Sequence, residues 1–507
     1  MAAHAPSGVL VIYTGGTIGS KPRDPDPDSP QVVVPWAELE AGTPELQNLK
    51  EKHGLRVECE EIEPLDSCNV GPKEWQQIAG IIDKHYNEFE GFVILHGTDT
   101  MVYTASALSF MLQQLAKPVI LTGAQRSALV DVRNDASQNF ITAILLACPS
   151  FSKVPVVPEV CIYFGGKLLR GNRTVKRDTA GYDAYESPNF PPLGEVGDRM
   201  VIHEKQVRPM PEPGSKFNVY KSLDTNVTSI LVYPGIQHTD LAKRQLDGLA
   251  ARQSQRDDGL KAAIVMAYGS GNIPTLWPEW LENFRQARDA GMVIATVSQC
   301  KRGAVELGIY ETSALLLELG FVAASDLTLE AALCKLMVLL GDRDLTQEEV
   351  EESYQRALVG EQSSSVFLTK YPVKAGSMKR ETEPTNVRIP GRALEGGWQP
   401  SHVERALLRF RGAKLVFNGR PPVLFSVYMN LDRPEDASPD HAGYAGQFKK
   451  EPATKDDQII LFDVTRVLTA LVKPGGRASF TVFLETEGAE FSWNSVDLAI
   501  IAKEASA

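Results

Sequence analysis

The chain has 507 residues, which at roughly 100–200 residues per domain allows about three domains. Hydrophobic residues make up 43% and charged residues 23%, a globular composition that excludes a disordered, collagenous or coiled-coil chain. A formal net charge of −12 argues against non-specific binding to nucleic acid or anionic lipid.

No apolar run approaches the roughly 20 residues of a membrane helix. The start shows no basic stretch followed by an apolar one, so no secretory signal is read there and a cytoplasmic location is expected. Cys59, Cys68, Cys148, Cys161, Cys300 and Cys334 are scattered, with no C-x-x-C pair. Reduced, mostly buried thiols are expected.

In chain order, Val9–Tyr13 reads as a buried strand, as do Phe92–Leu95 and Val119–Leu121. Between the last two, Met101, Ala105, Leu108, Leu112 and Leu115 share one helix face, with Pro118 as the expected stop. Strand, helix and strand in that order imply βαβ units and a parallel sheet. The Pro-rich stretch 191–228 reads as a crossover between an N-terminal α/β domain (7–190) and a second one (229–358). In the second, 229–233, 262–268 and 292–297 read as strands, and Leu329, Leu333, Leu336 and Leu340 line a helix. Residues 359–400 have the Ser, Pro and Gly content of a linker. From 401 to 505 the helical period disappears, and strands such as Val423–Met429 and Phe480–Leu484 indicate an all-β domain.

Two loops stand out. The first strand runs into Thr14-Gly15-Gly16-Thr17-Ile18-Gly19, and a later one into His96-Gly97-Thr98-Asp99-Thr100. Ligands of open α/β sheets gather outside the carboxyl ends of the strands. The glycines, Gly16 and Gly97 among them, let backbone amides approach a substrate. Thr17, Thr98 and Asp99 offer a nucleophile, proton carriers and a carboxylate. Either loop alone reads equally well as a tight strand-to-helix turn; two hydroxyl-rich turns at equivalent strand ends point to a site. The G-x-x-x-x-G-K-[ST] spacing of a phosphate loop fails here, and Gly269–Pro274 has Pro where a dinucleotide fingerprint needs Gly. Eight dispersed histidines form no metal constellation. The basic cluster Arg170, Arg173, Lys176, Arg177 reads as a solvated loop that could supply one catalytic cation.

Up to about residue 358 these motifs resemble the type I (cytoplasmic) bacterial L-asparaginases. Further matches, in order, are Pro64-Leu65-Asp66-Ser67, Ser106–Met111, Arg170–Thr174, Ser187-Pro188-Asn189, Tyr233-Pro234-Gly235 and Ser270-Gly271-Asn272. The resemblance implies an α/β, two-domain asparaginase-like fold with parallel sheets and an amidohydrolase turning L-asparagine into L-aspartate and ammonia. It implies that Thr17 is the nucleophile and that Thr98, Asp99 and Lys176 form a second catalytic set. It places Asp66 and Ser67 on the substrate's polar groups, with Ser67 on the α-carboxylate and Asp99 on the α-ammonium. It makes the enzyme a homodimer or homotetramer in which Asn272 approaches a neighbouring pocket. No metal or organic cofactor is implied.

Three departures bear on substrate preference. The tyrosine that the family usually carries soon after the first glycine loop is missing from 20–36, where Pro22, Pro25, Pro27, Pro30 and Pro35 predict a stiff segment and Ser29 is the one hydroxyl between Lys21 and Trp36. Ser67-Cys68-Asn69-Val70 and Ser325-Asp326-Leu327-Thr328 also differ from the usual pattern. Glutamine, an asparaginyl group of a peptide or metabolite, and a non-catalytic binding role are the alternatives. The last hundred residues resemble the C-terminal β-sandwich of plant-type polyphenol oxidases through Ser426–Asn430, Tyr444-Ala445-Gly446 and Phe462–Thr465, without the copper-binding part. This resemblance implies a domain that docks on the core or on another protein.

Overall fold

The computed structural model describes residues 8–503 except 25–28, 131, 239–258, 308–310, 324, 374, 382–384, 395, 420–421, 451 and 474. The first domain is built on one eight-stranded sheet: β1 (Val9–Gly15), β2 (Val57–Leu65), β3 (Gly91–Leu95), β4 (Val119–Thr122), β5 (Val160–Phe164), β6 (Lys167–Arg170), β7 (Gly194–Val196) and β8 (Met200–Ile202). Their spatial order is β8-β7-β6-β5-β4-β3-β1-β2. The five strands β1 to β5 are parallel, and β6 to β8 add an antiparallel edge.

Both faces of the parallel part are covered, which is why its strands read as unbroken apolar runs. Leu10, Ile12, Phe92 and Ile94 pack under α1 (Pro72–His85) and α2 (Met101–Met111). Val9, Val11, Val93 and Ile120 pack under α3 (Ala136–Ala147). Helix α2 ends at Met111, well before Pro118, because Leu112–Gln113 leaves to pair with Asn218–Val219 and Gln114 turns left-handed at φ 56°.

The second domain carries a four-stranded parallel sheet, β9 (Val227–Leu231), β10 (Ala262–Ala267), β11 (Val293–Ser298) and β12 (Val322–Ala323), in that order. Helix α4 (Leu329–Gly341) serves both domains. Its Ala331, Ala332 and Leu336 pack on this sheet, and its Cys334 and Val338 join the core of the first domain.

The stretch 191–228 is more than a crossover, since β7 and β8 within it complete the first sheet. Residues 359–400 do not form a linker. They carry β13 (Ser364–Tyr371), β14 (Gly376–Lys379) and β15 (Thr385–Ala393). The inward positions of β13 include Ser365 and Thr369 beside Phe367 and Tyr371, so its period of two was hidden by hydroxyl residues. These strands pair with later ones: β16 (Val403–Val416), β17 (Val423–Met429), β18 (Tyr444–Lys450), β19 (Ala453–Asp463), β20 (Arg477–Leu484), β21 (Glu490–Trp493) and β22 (Ser495–Lys503). One sheet runs β13-β22-β16-β21-β14 with β19 also on β16, and the other runs β15-β20-β17-β18; all pairings are antiparallel. Their apolar faces share one core around Phe410, Phe425, Phe462 and Phe491.

This C-terminal part is tied to the other two by residues 358–363. Arg173 of the first domain forms a buried bidentate pair with Asp326 of the second, at 2.9 and 3.0 Å, and donates to Glu361 O and Ser363 Oγ. Glu361 and Lys335 of α4 form a fully buried ion pair at 2.6 Å. Burial alone would raise the Glu361 pKa, but the Lys335 charge and the Leu358 and Val359 amides outweigh it and hold the carboxyl below its usual range.

Candidate active site

Strand β1 leads to β2 on one side and, through β2 and α1, to β3 on the other. The order in which strands are added therefore reverses between β1 and β3, and the crevice outside their carboxyl ends is the expected ligand position. The two glycine turns meet there. Gly15 and Gly16 have φ of 100° and 88°, and a Cβ on Gly16 would lie 2.4 Å from the Gly97 nitrogen. The turns thus touch backbone to backbone, which only glycine permits. Thr17, half-buried, opens a 3-10 turn (Thr17–Gly19) held by the Gly19 amide and the Ser20 hydroxyl, both donating to Gly16 O.

The loop after β2 arrives from the other side. Asp66 accepts from the Cys68 amide at 3.0 Å and so caps the turn Ser67–Asn69. Ser67 packs on Gly97, where an added Cβ would come within 2.7 Å of its Oγ. Its Oγ accepts from the Asp99 amide at 3.2 Å, and its carbonyl accepts from Thr100 Oγ1 at 2.6 Å. Asp66 bonds Cys68 just as it would in any such turn, and the Cys68 thiol is raised above its ordinary pKa chiefly by its hydrogen bond to that carboxylate.

Lys176 completes the constellation from the two-residue strand Val175–Lys176. Its Nζ donates to Thr98 Oγ1 at 2.9 Å and pairs with Asp99 Oδ1 at 2.6 Å. The Lys176 side chain is 17% exposed and that of Asp99 66%, so the pair lies at the mouth of a walled site. The basic cluster that supplies it is not a solvated loop. Arg170 and Arg173 are buried in ion pairs with Glu159 and Asp326, and only Arg177 is exposed among its partners Asp183 and Glu186.

Four supporting residues, Tyr185, His96, Thr104 and Trp75, had no role in the sequence reading. Tyr185 lies opposite Lys176 in the short ladder, fully buried, and its hydroxyl donates to Thr98 O at 2.5 Å. His96 is fully buried; Nδ1 donates to Gly97 O at 2.7 Å, while Nε2 accepts from Thr104, whose oxygen accepts from Trp75 Nε1 at 3.0 Å. Burial pulls its pKa down to about 4, which keeps the ring neutral as this chain of bonds requires. The position of His96 directly before Gly97 was the available signal; the Trp75 and Thr104 partners come from two different helices and leave none.

The segment after the first turn forms a hairpin, Ser20–Pro22 against Gln31–Val33, braced by a Lys21–Glu38 ion pair. Pro25 and Pro27 lie outside the described residues. Ser29 bonds Asp24, and the nearby phenol of Tyr13 is fully buried and donates to Val34 O. Asn272 stands elsewhere, in the second domain, closing the turn Tyr268–Asn272 after β10. Among the described residues no group of three or more His, Cys, Asp or Glu is arranged to hold a metal ion, the six cysteines form no disulfide, and no helix is long and apolar enough to cross a membrane.

Comparison with known proteins identifies the family. Residues 8–208 match the family model "Asparaginase, N-terminal" and residues 226–353 match "Glutaminase/Asparaginase C-terminal domain". The chain is 37% identical over 355 residues to L-asparaginase 1 of Escherichia coli K12, covering 70% of this chain and 97% of that protein. It is 34% identical over 377 residues to the 60 kDa lysophospholipase of Mus musculus, covering 70% of this chain and 62% of that one. The crystal structure of L-asparaginase I from Vibrio cholerae superposes with a TM-score of 0.60 at 34% identity, over 71% of this chain and 100% of that chain. Residues beyond 353 lie outside both family matches. The chain belongs to the asparaginase family of amidohydrolases, carrying that family's two α/β domains and, after them, an extension of antiparallel strands.

Proposed function

We propose that the protein hydrolyses the side-chain amide of L-asparagine to L-aspartate and ammonia through an acyl-enzyme on Thr17. The observation that carries this reading is the Lys176 ammonium lying between Thr98 Oγ1 and Asp99 Oδ1, beside the glycine turn that bears Thr17. A positive charge 2.9 Å from the Thr98 oxygen lowers the cost of ionising that hydroxyl. Thr17 Oγ1 attacks the amide carbon, its proton passes to the departing nitrogen, and ammonia leaves. Water activated at Thr98 then attacks the ester, giving the acid and restoring the Thr17 hydroxyl. Backbone amides of the two glycine turns supply the oxyanion donors, where charge appears in each tetrahedral intermediate. Asp99, with most of its side chain exposed, receives the α-ammonium, and Ser67, in the turn that Asp66 caps, holds the α-carboxylate.

The hairpin at 20–33 favours one departure from the usual arrangement. It offers no phenol, so activation of Thr17 rests on the Thr98–Lys176 pair. Ammonia release by the purified chain from asparagine, glutamine and asparaginyl peptides tests the reading: asparagine is expected to be preferred, a preference for another amide moves the substrate, and no release from any amide leaves a binding protein. We further propose a homodimer or homotetramer, located in the cytoplasm, with Asn272 near a partner copy's pocket, and a β-sandwich formed by the two C-terminal sheets that docks on the core. The docking is supported by the Glu318 carboxylate, which accepts from the Ile459 amide at 3.1 Å.

A further inference from the structure

A cavity of about 520 Å³ opens between the end of α2, the Pro209–Pro211 segment and the C-terminal half of α4, and none of the candidate catalytic residues lines it. Its size is that of a small-molecule site. Phe110, Leu115, Val338 and Leu339, all buried, form its apolar wall, and Met210 and Leu358 are exposed at its edge. A large apolar side chain held in solvent beside an apolar cavity costs free energy unless something covers it.

One charged side chain in this wall has no hydrogen-bonded partner among the described residues. Glu159 holds Arg170 through both carboxylate oxygens, and Glu361 holds Lys335. Arg208 contributes only its backbone amide to Glu159, at 2.6 Å, and among the described residues its guanidinium donates no hydrogen bond. Arg208 is half-buried, and this partial loss of water pulls its pKa down against the attraction of Glu159. The acidic lining groups are differently placed: Glu212 is exposed to solvent, and Asp342 is half-buried and accepts from the Asp344 amide. A fork of N–H donors without partners, beside an apolar wall, matches a carboxylate with a hydrocarbon tail.

We propose that this cavity binds an amphiphilic monocarboxylate, with an acyl chain of medium length along Phe110, Val338 and Leu339 and its carboxylate on Arg208. The test is titration calorimetry on the full-length protein with decanoate, decanol and decyltrimethylammonium. Decanoate is expected to bind with a Kd below about a millimolar and at least about tenfold more tightly than either of the others. Arg208→Met should weaken decanoate about tenfold and decanol less than about twofold. Leu339→Trp, which fills the cavity, should abolish both. The wild-type comparison of the three probes needs no variant, and melting curves identify any variant that fails to fold. Absence of decanoate binding at millimolar concentration overturns the proposal, as does decanol or decyltrimethylammonium binding as tightly as decanoate. Unchanged decanoate binding by a folded Arg208→Met protein also overturns it.

Discussion

Lys176 is expected to be as indispensable as Thr17. Its ammonium is the only charge bonded to Thr98 among the described contacts, and no phenol from the 20–33 hairpin can share its work. Thr17→Ala and Lys176→Met should each leave less than about a hundredth of wild-type kcat, a barrier change above ~2.7 kcal/mol, with unaltered melting curves. A Lys176→Met protein with near-normal kcat would place the base elsewhere. Tyr185→Phe separates positioning from chemistry. It removes the bond to Thr98 O but leaves Thr98, Lys176 and the ring packing against Phe164. Loss of one buried bond that orients a reacting group should lower kcat about tenfold while KM changes less, and kcat/KM with its pH profile is the readout. His96 gives a stability signature instead. Its pKa of about 4 in the folded protein lies below the ordinary histidine value, so the unfolded chain takes up the proton first. The stabilisation from a neutral His96 is therefore complete above about pH 6.5 and lost as pH falls toward 4, by up to about 3 kcal/mol. Denaturant titrations across that range should show a slope in the wild type that is reduced in His96→Asn.

At the scale of elements, the segment 358–366 decides where the chain can be cut. Glu361 neutralises Lys335, Ser363 and Glu361 O receive Arg173, and Val366 donates back to Gln355 O. A protein ending after residue 366 keeps all of these, and it is expected to be soluble and to release ammonia from asparagine. One ending at 355 leaves a fully buried ammonium without its carboxylate and should not fold. Glu361→Gln should cost about 3 kcal/mol or more, whereas Lys335→Met combined with Glu361→Gln should recover part of it, because the penalty belongs to the stranded charge. A cut at residue 400 separates β13 and β15 from β22 and β20, so it leaves unpaired edges. The same segment shows why some of the fold was legible in sequence and some was not. The loops after β1 and β3 were readable because apolar strands run straight into glycine and threonine. Strand β13 was not, because Ser365 and Thr369 point inward and break the apolar period. Arg170 and Arg173 read as solvated because Glu159 meets Arg170 only across the β5–β6 pairing and Asp326 belongs to the second domain.

For the molecule as a whole, α1 to α3 cover the first α/β sheet, α4 and the helices Pro278–Asp289 and Glu311–Glu318 cover the two faces of the second, and the C-terminal sheets close on their own core. Exposed Tyr233 and Leu276 remain on the second domain, one on each side of the Tyr268–Asn272 turn in sequence. This is the part of the surface from which Asn272 would reach a partner copy. Light scattering at micromolar protein is expected to give at least a dimer, and Asn272→Ala is expected to raise KM for asparagine without changing the oligomer. A fully active monomer would exclude the shared pocket.

The buried Lys335–Glu361 pair also sets an order of events during synthesis. Helix α4 leaves the ribosome before residue 361 does, so its ammonium has no lasting place in the interior until the later segment has emerged. Stable docking of the two α/β domains around α4 is therefore expected only after that. Whatever lies beyond residue 366 can differ without disturbing this timing, but the short piece ahead of it belongs to the enzyme core.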